Sequence, residues 1–349
     1  MLISERLRQE HTAYLEETPW PAPATKMQPD ARILRTTDVA ALSTLFGDAA
    51  ECIQLTAGRF HATAVTVQLR HLRMTRLTAS TGVQLRIEPP APRLLLGYLS
   101  DGNPQPIANG QAWFQTDVLL VPGGGLSLTI PNSGSTVWIE IDREHLARIV
   151  PPLLAVAGQD RAVTLPLSLP PYRKLDRAIS DVFELAAERH AREFAPDTTI
   201  LERTLSAALT APLRTSQPRV QRKTSLRRTE LVYRVEQYMW EHIEEAPSLR
   251  MICAATGARM RSLIYAFESV VGMSPMQYLK IRRLNAARRK LQHPSANQWR
   301  IADIAADCGF WHMGHFGSDY KQLFDITPSQ TSDLPATTVD YLELTSNAR

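Results

Sequence analysis

Arg259, Arg261, Ser262, Ile264 and Tyr265 fall within seven residues of one another. Together they supply two guanidinium groups, a hydroxyl, a branched apolar group and a phenol. An arginine fork presents paired N–H donors that match guanine O6 and N7, and an apolar branch suits the thymine methyl. The tyrosine hydroxyl could serve a base edge or a phosphate. Such chemistry needs one rigid face to hold the groups together. On a helix with Leu263 and Phe267 directed inward, positions 261, 262, 264 and 265 lie outward, flanked by Arg259. The alternative for Ile264 and Tyr265 is partial burial against a neighbouring helix.

The elements around this segment occur twice. The first copy runs from Ser248-Leu-Arg-Met-Ile-Cys-Ala-Ala-Thr-Gly257 through Leu263 and Phe267 to Gly272-Met-Ser-Pro275. The second runs from Arg300-Ile-Ala-Asp-Ile-Ala-Ala-Asp-Cys-Gly309 through Phe316 and Tyr320 to Asp325-Ile-Thr-Pro328. Ile252 aligns with Ile304, Gly257 with Gly309, Leu263 with Phe316, and Ser274-Pro275 with Thr327-Pro328. Each copy reads as a short apolar helix, a glycine turn able to take positive φ, and a second amphipathic helix. Ser248 is placed to N-cap the first of these helices. Ser274 followed by Pro275 starts a long helix to about Gln292, with Tyr278, Leu279, Leu284, Ala287 and Leu291 as its apolar positions. Two such helix-turn-helix units in tandem predict a double-stranded DNA partner.

Over residues 229–332 the chain resembles the AraC/XylS family of bacterial transcription regulators. The resemblance rests on Ile252-Cys253-Ala254, Gly257, Leu263, Phe267, Gly272-Met-Ser-Pro-Met-Gln-Tyr-Leu279, Arg283-Leu-Asn-Ala-Ala-Arg288, Ile304-Ala305, Cys308-Gly309-Phe310, His315-Phe316 and Phe324. It implies that the long helix holds the two motifs in adjacent major grooves, roughly 34 Å apart. It also implies that Arg259, Arg261, Ser262, Ile264 and Tyr265 read the first groove. By alignment the second recognition helix presents His312, Met313, Gly314, Gly317 and Ser318, with Trp311 at its start. Many family members carry arginine where Ser318 stands. With two glycines and no long donor, this helix is expected to bind through phosphate contacts and shape. Arg282, Arg283, Arg288, Arg289 and Lys290 are expected to face solvent or phosphate.

Composition agrees with this division. At 349 residues, 44% of them apolar, the chain is long enough for two domains with real cores. Residues 220–330 hold sixteen Lys and Arg against ten Asp and Glu, whereas the rest holds twenty-three against twenty-five. Positive charge is therefore concentrated where phosphates would lie. Cys52, Cys253 and Cys308 lack metal-type spacing, and the latter two fit as small apolar groups between motif helices. The start, Met1-Leu-Ile-Ser-Glu-Arg, lacks a signal-type apolar core, and no apolar run reaches 18 residues. A reducing cytoplasm, with no membrane, is expected.

The first half reads differently. A proline-bearing lead-in covers 1–30. Residues 31–170 alternate β-prone runs with breakers. The runs are Ala62–Leu69, Arg93–Leu99, Val118–Pro122, Leu126–Ile130 and Thr136–Ile141. Pro89-Pro90, Asp101-Gly-Asn-Pro104, Gly123-Gly-Gly125 and Asn132-Ser-Gly134 fall between them. This punctuation predicts an antiparallel barrel or sandwich. Gln54-Leu-Thr-Ala-Gly-Arg-Phe60 and Leu120-Val-Pro-Gly-Gly-Gly125 are similar to the cupin-like sensor domains of ethanolamine-operon-type regulators, which implies a cupin-like β-barrel.

Helices follow at Tyr172–Phe194 and at Thr199–Leu213, the latter ended by Pro212. The stripe Leu175, Ile179, Val182, Phe183 and Ala186 needs a covering surface. This makes 171–213 a candidate dimerisation segment, with packing on the chain's own barrel as the alternative. Residues 214–228 have linker composition, a helix at Thr229–Glu244 opens the second domain, and 333–349 form a polar tail.

No enzyme motif appears. His61, His71 and His145 lack the spacing and carboxylate partner of a metal site, and Gly123-Gly-Gly125 lacks the following Lys of a phosphate loop. No catalytic residue, cofactor or metal is expected. The chain as a whole is expected to be α+β, a cupin-like sensor joined to an all-α tandem helix-turn-helix domain. The corresponding function is a homodimeric, effector-responsive activator that contacts RNA polymerase, with repression as the open alternative. For the first domain, the alternatives are a small-molecule sensor, whose pocket Phe60, Tyr98, Trp113, Phe114 and Trp138 could line, and a ligand-free dimerisation or protein-interaction module.

Overall fold

The computed structural model describes residues 30–47, 50–89, 93–100, 106–123, 125–151, 162–191, 198–219, 223–293, 298–332 and 340–343. The lead-in 1–29 and most of the tail lie outside these residues.

The N-terminal half is built on two antiparallel sheets. Its strands are β1 (Asp30–Thr36), β2 (Glu51–Gln54), β3 (Ala62–Gln68), β4 (Leu72–Ala79), β5 (Val83–Ile87), β6 (Arg93–Leu99), β7 (Ile107–Ala108), β8 (Gln111–Ala112), β9 (Asp117–Val121), β10 (Leu126–Ile130), β11 (Gly134–Asp142) and β12 (Val163–Pro166). From the tail comes β13 (Asp340–Glu343), which pairs with β1. The larger sheet runs β12-β9-β6-β11-β4-β3-β1-β13 and the smaller β2-β5-β10-β7-β8. No strand joins the two sheets into a closed barrel among the described residues.

The pattern of β6 explains this layering. Leu94, Leu96 and Tyr98 point to one face, while Leu95 and Leu99 point to the other, and all five are buried. A strand covered on both faces reads as an unbroken apolar run. On the inner face Leu95 and Leu99 meet Val83, Leu85, Leu126 and Leu128 of the smaller sheet. The outer face is covered by helices α1 (Arg143–Ile149), α2 (Leu169–Ala191) and α3 (Thr198–Thr215), whose Leu146, Leu175, Ile179, Leu205 and Leu209 join that cluster. The expected strands are present. β4 escaped the sequence reading because Arg73 and Arg76 break its apolar pattern. Arg73 is nevertheless satisfied across the sheet by Glu140 of β11, and Arg76 donates to Ser180 Oγ at 2.9 Å.

The α2 residues Leu175, Ile179, Val182 and Phe183 are buried against the chain's own larger sheet and α3, whereas Leu169 and Leu185 of the same helix stay exposed. Tyr98, Trp113 and Trp138 fill cores, with Trp113 and Trp138 5.9 Å apart between the sheets, Phe114 is exposed, and the buried Phe60 lines a cavity with Thr37, Arg59 and Arg288. They do not form a hollow barrel interior. In addition, α3 continues through Pro212 to Thr215.

The C-terminal half is helical. It comprises α4 (Lys223–Glu241), α5 (Leu249–Thr256), α6 (Met260–Val270), α7 (Pro275–Gln292), α8 (Ile301–Ala306), α9 (Met313–Phe324) and α10 (Pro328–Ser332). The first of these begins at Lys223, inside the stretch whose composition suggested a linker. Its core unites both motifs: Ile252, Leu263, Phe267, Tyr278, Ile304, Cys308, Phe316 and Tyr320 share one cluster.

Candidate nucleic-acid interface

Both motifs fold as their repeated spacing predicts. Ser248 Oγ accepts from Met251 N at 3.3 Å and Ser274 Oγ from Gln277 N at 3.3 Å, each capping its helix. Gly257 and Gly309 close the two first helices with φ of 67° and 77°. The repeat extends further than the residue types suggest. After α6 and α9, Gly272 has φ 83°, and its counterpart Asp325 reaches φ 57° without being glycine. Thr327 then forms a reciprocal capping pair, accepting from Gln330 N at 3.3 Å while Gln330 Oε1 accepts from Thr327 N at 2.8 Å.

On α6, Leu263, Ala266, Phe267 and Val270 are buried, whereas Arg261, Ser262 and Tyr265 are exposed, as is Arg259 at its N-cap. Tyr265 is 54% exposed, with the Arg228 guanidinium 4.3 Å above its ring. Ile264 is half-buried. On α9, Phe316, Tyr320, Leu323 and Phe324 are buried. His312, Met313, Gly314 and Ser318 are exposed, Gly317 is half-exposed, and Trp311 is 71% exposed. Large apolar groups left exposed in the tandem motifs also include Met251, Met260 and Met276, which sequence reasoning passed over. Met251 and Met276 sit one position away from the buried Ile252 and Pro275, so their spacing gives no hint of them. Arg250 and Lys321 are further exposed cations on these helices.

The five cations expected on the solvent side of α7 are placed differently. Arg282 and Arg288 are buried at 5% and 4% exposure, and Arg283 donates from Nε to Ile243 O at 3.1 Å. Arg289 stacks 5.2 Å from the Trp240 ring, and Lys290 pairs with Asp307 at 3.3 Å. Arg289→Ala is therefore expected to leave the salt dependence of DNA binding unchanged. A phosphate contact would instead contribute about one unit of slope in log K against log salt, and fluorescence anisotropy over a salt series distinguishes the two.

These arginines turn inward because α7 docks on the smaller sheet. Asn285 donates from Nδ2 to Gln54 O at 3.0 Å and accepts from Gln54 N at 3.0 Å, so one side chain mimics a strand partner along the β2 edge. Arg282 grips Glu51 through two bonds of 2.9 Å. Arg86 pairs with Glu236 of α4, and the Tyr278 hydroxyl donates to the same carboxylate at 2.5 Å. Burial would raise the Glu51 carboxyl, but Arg282, Arg289 and Arg86 hold it below its ordinary value. Burial, followed by the charge of Glu236, pushes the Tyr278 hydroxyl well up. Thr129 Oγ1 donates to Val270 O at 3.5 Å, and Ser225 and Thr229 donate to Asn109 O. The end of α6 and the start of α4 thus touch the same sheet.

No group of three or more His, Cys, Asp or Glu suited to a metal occurs among the described residues. His71 and His145 stack at 4.7 Å, and burial lowers the His145 pKa. Burial raises the Cys308 thiol to about 11 and the Cys52 thiol further still, consistent with packing groups. No helix among the described residues is long and apolar enough to cross a membrane.

A helix-turn-helix domain family matches residues 252–333. The XylDLEGF operon transcriptional activator 2 of Pseudomonas putida is 31% identical over 137 residues, covering 39% of this chain and 87% of that relative. The chain belongs to the AraC/XylS family of transcription regulators. It is accordingly an AraC-type DNA-binding regulator, in a family of regulators and not enzymes. The XylDLEGF operon transcriptional activator of the same species is 37% identical over 98 residues, 28% of this chain, and the chain spans only 30% of its length. Among solved structures, an AraC-type regulator from Chromobacterium violaceum is 33% identical, covering 30% of this chain and 89% of that one, with a TM-score of 0.28.

Proposed function

We propose that this AraC-type regulator is a sequence-specific, small-molecule-responsive activator whose base reading rests on α6. The observation that carries this is the exposed start of that helix. There Arg259, Arg261 and Ser262 stand clear of solvent-excluding neighbours while Leu263 and Phe267 anchor the helix in the core. Arg261 donates to a guanine, Ile264 meets a thymine methyl, and Tyr265, steadied by Arg228, takes a base edge or phosphate. Trp311, His312, Met313, Gly314, Gly317 and Ser318 hold the second groove by backbone contact and shape.

In this reading the two-sheet domain is a cupin-like sensor acting in the cytoplasm. The active form is a homodimer that contacts RNA polymerase, and its dimer surface lies outside the buried α2 stripe. The likeness to proteins named transcriptional activators favours activation.

Arg261→Ala in the full chain is expected to lose about 1–3 kcal/mol against the operator and to relax preference at one base pair. Measuring affinity for a set of operators substituted one position at a time checks this. Equal losses on operator and random DNA would remove Arg261 from base reading.

A further inference from the structure

The basic stretch 214–228 belongs to neither helix-turn-helix, yet its last residues are folded. α4 begins at Lys223, so Arg227 and Arg228 stand on a helix. Its first turns are fixed to the smaller sheet, where Ser225 Oγ donates to Asn109 O at 3.2 Å and Thr229 Oγ1 to the same oxygen at 2.9 Å. Next to Thr229, Arg228 reaches across to α6, and its guanidinium lies 4.3 Å from the centre of the exposed Tyr265 ring. Arg228 is only half-buried, and its guanidinium forms no hydrogen bond or ion pair among the described residues. Glu230 of α4 and Glu268 of α6 are exposed on the same two helices, and neither pairs with it. A guanidinium stacked on an aromatic face keeps its N–H fork available to an anion.

We propose that Arg228 is a third point of contact with DNA, outside both motifs, donating to a backbone phosphate beside the groove that α6 enters. A helix with its side chains measures about 10–12 Å across and nearly fills a major groove about 12 Å wide. A cation held against the flank of that helix by a neighbouring helix therefore meets the groove wall. The wall is phosphate, so the contact fixes register and carries no base preference. Arg234 of α4 is exposed as well, but it lies about 120° around the helix from Arg228 and about 9 Å further along, away from Tyr265. Positive charge on α4 is thus aimed at the reading face from one position. This contact requires α6 to lie in the major groove, and so rests on the base-reading role given to α6 above. Because Ser225 and Thr229 hold this turn of α4 to Asn109, the guanidinium is placed before DNA arrives.

The test is fluorescence anisotropy over a salt series with the full-length protein and two duplexes, one selected by the protein from a randomised pool and one unselected. Arg228→Ala is expected to lower the slope of log K against log salt by about 0.9, the share of one phosphate. It should weaken both duplexes alike, by about fivefold near physiological salt. Arg228→Lys keeps the charge and should keep the slope. Arg234→Ala removes the same charge from another side of α4 and should leave the slope unchanged. Neutral methylphosphonates placed one at a time in the selected duplex give a second reading. One position should weaken the parent protein by about fivefold and leave Arg228→Ala unaffected.

An unchanged slope for Arg228→Ala overturns the proposal. So does a loss confined to the selected duplex, which would reduce Arg228 to a prop for Tyr265. An equal loss for Arg234→Ala overturns it too, since diffuse charge would then account for the effect, as does a methylphosphonate scan with no position that separates parent from variant. If Arg228→Ala behaves as expected but Arg261→Ala leaves base preference intact, the phosphate contact stands and base reading by α6 falls. If Arg261→Ala relaxes one position while Arg228→Ala changes nothing, the reverse holds.

Discussion

Glu236→Ala is expected to destabilise the protein by about 3–5 kcal/mol and to split its unfolding into two transitions. The magnitude follows from removing one partner of a buried ion pair and leaving the other charge uncompensated. Glu236 is 1% exposed and accepts from Arg86 of β5 and from Tyr278 of α7, so its carboxylate joins the smaller sheet, α4 and α7. Without it, Arg86 stays in a largely buried position with no directly paired carboxylate, and the Tyr278 hydroxyl loses its charged acceptor. The split follows from location. Each half has a core, and the contact between them combines Ile53 and Leu55, which join the helical cluster, with the polar pairs Arg86–Glu236, Arg282–Glu51 and Asn285–Gln54. Differential scanning calorimetry reads both effects. A single transition at the parental temperature would show that the network contributes nothing to coupling.

The same interface has a pH signature. The Glu51 carboxyl is held below its ordinary value in the folded protein. Its contribution is therefore complete above the unfolded glutamate pKa, about 4.3, and is lost as pH falls through the lower native value. Acid should loosen the docked halves before it melts either core.

The local parts of the tandem helix-turn-helix domain were legible in the chain. Ser248, Gly257 and Ser274-Pro275 specify caps and turns through their own backbone chemistry, which needs no distant partner. Leu263 and Phe267 mark an inward face by period alone. What escaped the sequence depends on partners far away along the chain. Arg282 and Arg288 have the look of solvated cations, because nothing near them reveals that Glu51, 231 residues earlier, and Thr37 O await them. Asp325 fills a left-handed position for which glycine would be the expected residue. The stripe on α2 was visible, but the larger sheet that covers it is assembled from strands scattered over a hundred residues. Composition marked five of the strands, β3, β6, β9, β10 and β11, whereas the remaining strands and the order that leaves two open sheets depend on long-range pairing.

Gly309→Ala is expected to cost about two to three times as much as Gly257→Ala, although the two glycines play the same part in the two motifs. Both sit at positive φ, 67° for Gly257 and 77° for Gly309, where an alanine costs about 1–2 kcal/mol. For Gly257 that is the whole cost, since a methyl group there would meet nothing within 4 Å. At Gly309 the methyl would lie 2.6 Å from Ile243 O and 3.0 Å from the Arg283 guanidinium. Ile243 O is the acceptor for Arg283 Nε at 3.1 Å. Relief would therefore require moving both a backbone carbonyl at the end of α4 and the side chain that bonds to it. Overpacking of this kind adds about 1–3 kcal/mol or more. The second turn is thus wedged between α4 and α7, while the first is open. Denaturant titration of the two variants, read by the m-value and midpoint together, should place Gly309→Ala well below Gly257→Ala in stability. Operator affinity should follow the same order, because displacing the second turn tilts α9 relative to α7. Equal midpoints would mean that α4 yields at Ile243 without cost, and that the second motif is not rigidly held against the first.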